Sequence, residues 1–113
     1  MIVCATVTDD GQVGGGWGKA RRVALASVAD GAISDWQEID VRWDVAHDEG
    51  TEGSHHARIA RFLIENHVDV VVAGHMGPPM ANTLGKMKIR TVLGVGGDAR
   101  DVVLAAAAAA QDS

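Results

Sequence analysis

The run Val68-Asp69-Val70-Val71-Val72-Ala73, closed by Gly74, narrows the possible folds more than any other segment of this chain. β-Branched side chains suit a pleated surface, and a nearly continuous apolar run without polar alternation marks a strand covered on both faces in a parallel sheet. Parallel neighbours require crossover connections, so helices must flank this strand. They are visible on either side. From Ser54 to about Asn66, residues His56, Ile59, Ala60, Leu63 and His67 share one helical face, while Arg58, Arg61 and Glu65 fall outside it, and Ser54 is placed to cap the helix. After Gly74 a helix is expected from about Met80 to Met87. Then come the short apolar run Ile89 to Leu93, a turn at Gly94-Val95-Gly96-Gly97, and Asp98 capping an alanine-rich helix that ends near Ala110.

The first half of the chain is strand-like. Met1 to Thr8 forms an apolar run ended by Asp9-Asp10-Gly11, and it carries no Lys or Arg ahead of that run, so it does not read as a secretory signal. The expected compartment is the cytoplasm. Val23 to Val28 and Ile33 to Val41 flank Asp30-Gly31, the dipeptide of a tight hairpin turn. Polar and apolar residues mix on both faces of the second of these runs, which suits an edge strand. Gln12 to Ala20 holds Gly14-Gly15-Gly16 and Gly18 and reads as a loop, and Asp44 to Gly53 as an exposed, mobile connection containing His47. The resulting order is βββαβαβα, an α/β fold.

Composition restricts the function classes. The chain has 113 residues, 47% of them hydrophobic and 22% charged, which predicts a single domain over residues 1–113. Ten Lys and Arg against fifteen Asp and Glu leave a net charge of −5, which opposes binding to a phosphate backbone, so no nucleic-acid partner is expected. No apolar stretch approaches the ~20 residues of a membrane-spanning helix. Cys4 is the only cysteine, so a cluster or zinc ion held by several thiolates of this chain is excluded.

Function belongs where the loops gather. If the first strand lies parallel to those at Val68 to Ala73 and Ile89 to Leu93, the segments Asp9 to Ala20, Gly74 to Pro79 and Gly94 to Gly97 share the carboxyl edge of the sheet, where open α/β sheets bind ligands. The hairpin brings the helix that begins at Ser54 to the same edge. Asp9, Asp10, Trp17, His55, His56, His75, Met76 and Met80 are thereby expected at one rim. Imidazoles suit borderline metals, thioethers soft ones and carboxylates hard ones. His75, directly after the buried strand and bounded by Gly74 and Gly77, is the first choice as a ligand. His55 and His56 are adjacent at a helix start, so they read either as ligands or as solvated or core-edge residues. Met76, Met80 and Met87 read as adaptable core filling, Cys4 as an inert strand residue, and His47 and His67 as structural or solvated.

Competing motifs are weaker. Gly94, Gly96 and Ala99 match a phosphate-loop spacing, yet Asp98 would set negative charge where an anion should sit, which favours a structural turn. Asp9-Asp10 lacks the third carboxylate of a two-metal nuclease.

Three segments together resemble a known family. Thr6-Val7-Thr8-Asp9-Asp10-Gly11, then Val68-Asp69-Val70-Val71-Val72-Ala73-Gly74-His75-Met76-Gly77-Pro78, then Ile89-Arg90-Thr91-Val92-Leu93-Gly94 are similar to the dinitrogenase iron–molybdenum cofactor family, which includes the nitrogenase accessory proteins NifX and NafY and the C-terminal domain of NifB. The resemblance implies a ribonuclease H-like three-layer α/β/α domain with a five-stranded mixed sheet. It also implies a non-catalytic accessory role: holding or carrying a metal cluster of iron–sulfur or iron–molybdenum type, with a cofactor-assembly protein as partner. Relatives often show a His-Phe-Gly-Arg pattern after the first strand, where this chain reads Gly16-Trp17-Gly18-Lys19. The anchoring ligand must then come from His75, His55 or His56, or no cluster is bound.

The expected site therefore has His75, with His55 or His56, as metal ligands, and Asp9, Asp10, Gly16, Trp17, Gly18, Gly74 and Gly77 around the cofactor. Gly14 to Gly18 would act as a closing flap and Trp17 as a shield. Two alternatives remain: an enzyme on a small anionic substrate with His75 as general acid or base tuned by Asp10, and a ligand-free protein interaction module.

Overall fold

The computed structural model describes residues 1–46 and 52–111, leaving His47 and the middle of the acidic connection outside the described residues. Strands β1 (Ile2–Thr6), β2 (Val23–Ala29) and β3 (Ala32–Ile39) are followed by helices α1 (Trp43–Ala46) and α2 (Glu52–Glu65), strand β4 (Val70–Ala73), helix α3 (Pro78–Lys86), strand β5 (Arg90–Leu93) and helix α4 (Ala99–Gln111). The five strands form one sheet in the order β3-β2-β1-β4-β5. β1 pairs antiparallel with β2 and parallel with β4, and β4 pairs parallel with β5. Both crossovers therefore return to the same sheet edge, as the valine run requires.

Alternation along each strand divides the interior in two. Cys4, Val23, Leu25, Val71 and Ala73 face α2 and α3, where Ile59, Leu63, Met80 and Leu84 meet them. Val3, Ala5, Ala24, Ala26, Val70 and Val72 face Val103, Ala106 and Ala107 of α4. The sheet thus lies between two helical layers, the three-layer α/β/α arrangement. Small alanines on α4, with Ala99, Ala106 and Ala107 buried, let that helix pack against the sheet. The β2–β3 hairpin turns at Asp30 and Gly31, both with positive φ (54° and 78°), which matches the right-handed twist of the flanking strands. Asp98 caps α4, accepting a hydrogen bond from the Asp101 backbone N–H at 3.1 Å.

Several boundaries differ from expectation. Helix α2 begins at Glu52, so Ser54 lies inside it rather than capping it. Its core-facing row is His55, Ile59 and Leu63 rather than a row led by His56, because burial follows the i, i+4, i+8 line set by the packed sheet. Helix α3 starts at Pro78 rather than Met80: two prolines are pre-set for a first helical turn, where their missing N–H groups cost nothing. Trp43 nucleates a short helix where an exposed connection was expected, since its indole is 2% exposed and anchors that turn in the core.

Candidate functional site

The carboxyl edge of the sheet is laced together by backbone hydrogen bonds. Gly74 N–H donates to the Gly14 carbonyl (3.1 Å), His75 N–H to the Gly15 carbonyl (2.8 Å), and Trp17 N–H to the His75 carbonyl (2.8 Å). Gly94 N–H in turn donates to the Gly74 carbonyl (3.0 Å), and Val13 N–H to the Gly97 carbonyl (2.8 Å). The three loops expected to converge do so. The glycine-rich segment, however, is not a closing flap, because its backbone is paired against the β4–α3 loop. Gly74 is what permits this approach: a Cβ there would sit 3.1 Å from the Gly14 and Gly15 carbonyl oxygens.

On the α2/α3 side this lacing encloses a cleft of about 340 Å³ lined by Gly16, Trp17, Gly18, Lys19, His55, His56, His75, Met76, Gly77 and Met80. All three histidines expected at the rim line it. Their surroundings differ. His75 is exposed on a backbone fixed in both directions, and His56 is half-buried. His55 is 2% exposed, with Nε2 2.6 Å from the Gly18 carbonyl, so it ties α2 to the glycine-rich segment. Trp17 is fully buried and packs edge-on against Trp43 (5.0 Å between centroids), which meets Phe62 in the same way (5.6 Å). Trp17 is therefore part of the cleft's foundation rather than a mobile shield. Its indole N–H has no hydrogen-bond partner among the described residues.

Asp9 and Asp10 stand elsewhere. Asp9 pairs with Arg22 at 3.3 Å, and Asp10 accepts a hydrogen bond from the Thr8 hydroxyl. Neither lines the cleft. Their segment packs with the start of α4, where Ala99 N–H donates to the Gly11 carbonyl at 2.9 Å, and not with α2 and α3. Among the described residues no carboxylate lines the cleft, so Asp10 is not positioned to tune His75. The Gly94 to Gly97 segment is a structural turn, with Gly94 and Gly97 at φ of 74° and 104° leading into the Asp98 cap.

The donor set limits what the cleft accepts. No three His, Cys, Asp or Glu side chains among the described residues come together to hold a metal ion. Cys4 is fully buried in β1, and that burial pushes its thiol far above the ordinary range, so it supplies no thiolate. One or two imidazoles can ligate a metal already carried in a preassembled group. The residues present do not fit a cluster assembled on protein thiolates. Lys19, Met76 and Met80 complete the lining. The methionines were expected at this rim from the convergence of the loops, whereas the signal for Lys19 was only its place after Gly18. Each alone also fits an ordinary core or surface residue.

The domain is thus a three-layer α/β/α sandwich with an imidazole-lined cleft at the carboxyl edge of its sheet. The sequence pattern of the dinitrogenase iron–molybdenum cofactor family matches residues 1–109, and the chain belongs to that family. No curated protein matches it. Among solved structures it is similar to PH0822, with a TM-score of 0.73 and 19% identity over 93% of this chain and 87% of that one. It is also similar to mj0327 of Methanocaldococcus jannaschii, described as a candidate dinitrogenase, with a TM-score of 0.61 and 15% identity over 92% of this chain and 84% of that one. At such identities the likeness is one of fold. No described helix is long and apolar enough to cross a membrane.

Proposed function

We propose that this chain is a non-catalytic carrier domain that receives a preassembled iron–sulfur or iron–molybdenum type cluster in the histidine cleft and passes it to a cofactor-assembly protein. The observation supporting this most strongly is that His55, His56 and His75, from two segments distant in sequence, line one cleft in a member of this family. In this reading His75 is the principal ligand and His56 the second. Their neutral imidazoles suit the borderline metals of such a cluster. His55 is a positioning residue, since its Nε2 faces the Gly18 carbonyl and holds the glycine-rich wall against α2. Gly16, Gly18, Gly74 and Gly77 keep the walls thin. Lys19 attracts negative charge on the cargo, and the carboxylates at the α4 end of the edge stay out of the way.

The test is anaerobic loading with a preassembled cluster, followed by metal analysis of desalted wild-type and His75→Ala protein. Wild type should retain iron in proportion to protein, and His75→Ala should lose most of it while keeping the wild-type circular dichroism spectrum. Equal, negligible metal in both would discard the reading.

A further inference from the structure

We propose that the same cleft is a binding site for a single soft monovalent metal ion of the cuprous class, with the thioethers of Met76 and Met80 supplying sulfur donors beside the imidazoles of His56 and His75. This goes beyond cluster carriage, because the thioethers have no part in that role and the ion needs no assembly partner.

The inference starts from what the fold gathers. Three of the chain's five histidines and two of its four methionines are among the ten residues lining the cleft, whereas none of its carboxylates among the described residues is. Core packing explains why an apolar residue stands at Met76 and Met80, which are 6% and 4% exposed. That both are methionines also sets two thioether sulfurs beside a histidine whose backbone is pinned. Met76 follows His75 directly, and Met80 lies one helical turn further on, in the first turn of α3. Met76, ahead of the extended Gly77 cap, and Met80, inside the helix, both line the cleft.

Charge then selects the ion. Neutral nitrogen and thioether sulfur donors offer a divalent cation no anionic compensation for its lost hydration, and Lys19 adds positive charge at the mouth. A monovalent thiophilic ion gives up less hydration and gains more from polarisable sulfur. His55 engages the Gly18 carbonyl through Nε2 and holds the wall, while His75 presents an exposed side chain to the cleft that His56 also lines.

The test is an anaerobic titration of cuprous ion into the full chain against a chromophoric cuprous chelator, in a Cys4→Ala background that removes the thiol. Binding should saturate near about one equivalent, with both sulfur and nitrogen in the copper X-ray absorption spectrum and zinc binding weaker by about 100-fold. In the shape-preserving Met76→Leu/Met80→Leu protein the affinity should fall by about tenfold or more and the sulfur signal should vanish. Unchanged copper affinity in that variant, zinc binding as tight as copper, or no copper binding once Cys4 is gone would each overturn the proposal. Should the double variant fail to fold, selenomethionine-labelled protein gives the answer directly: copper scattering at the selenium edge supports the site, and its absence removes it. Retained iron in the cluster-loading experiment alongside a negative copper result would sink this inference alone and leave the carrier reading standing.

Discussion

The two ends of the segment joining β1 to β2 share one sheet edge and differ in almost every chemical respect. At the α4 end the chain presents Asp9 and Asp10, each with a local partner: Arg22 reaches Asp9 at 3.3 Å, as it does Asp40 at 2.9 Å and Glu38 at 3.7 Å, and the Thr8 hydroxyl donates to Asp10. At the α2/α3 end the chain presents glycines and Lys19, facing histidines and methionines. Between them Gly14 and Gly15 carry the chain from one side to the other by pairing with Gly74 and His75. The lesson is that an α/β carboxyl edge is not one site. Carboxylates that are already satisfied do structural work, while the donors left facing a cavity are the ones available to a ligand.

Experiments can break this division, beginning with the largest effect. Trp17→Ala should cost about 3–5 kcal/mol in chemical denaturation, because the residue is fully buried beneath the cleft in the row with Trp43 and Phe62. A loss under about 1 kcal/mol would show that the cleft wall is separable from the core. Gly74→Ala should cost about 1–3 kcal/mol and also weaken metal retention, since the new Cβ meets two carbonyl oxygens at 3.1 Å and forces the glycine-rich wall outward. At the other end of the edge, Asp98→Ala should cost about 1 kcal/mol through loss of the α4 cap and leave metal retention unchanged. A coupled loss of binding would mean that the two ends act as one unit.

His75→Ala sharpens the contrast from the other direction. Its side chain is exposed and its backbone makes the loop contacts, so stability should stay within about 0.5 kcal/mol of wild type while metal is lost. The smallest effect concerns the carboxylate end. The Arg22 guanidinium hydrogen-bonds and attracts Asp40, holding that carboxyl below the usual Asp range. A depressed folded-state value means the contribution is fully present above the ordinary Asp pKa, ~3.9, and is lost as pH falls through the depressed value. Asp40→Asn should therefore flatten the acid limb of the stability–pH curve below about pH 4, and added salt should shrink the difference. The cleft's metal retention should not respond.

Much of the architecture was legible because it rests on one-dimensional periodicity. The valines of β4, the Asp30-Gly31 turn and the Asp98 cap each state a local conformational preference that tertiary packing had no reason to override. The gathering of His55, His56 and His75 was also legible, since parallel strands and right-handed crossovers fix which loops meet. What was not legible is which side of the sheet each loop residue takes. His55 and His56 are neighbours with nearly interchangeable sequence signals, and only the packing of Ile59 and Leu63 under the sheet turned His55 inward. The glycine-rich segment looks flexible in sequence because glycine permits many conformations, but its pairing partners Gly74 and His75 lie about sixty residues away.

The chain's own residues thus determined the layers, the strand directions and the edge at which chemistry is concentrated, because hydrophobic period and turn chemistry act over a few neighbours. Only the tertiary structure decided that the carboxylates would be spent on Arg22 and Thr8 while imidazoles and thioethers face the cavity. That choice depends on distances between segments far apart in the chain, and no local preference encodes them.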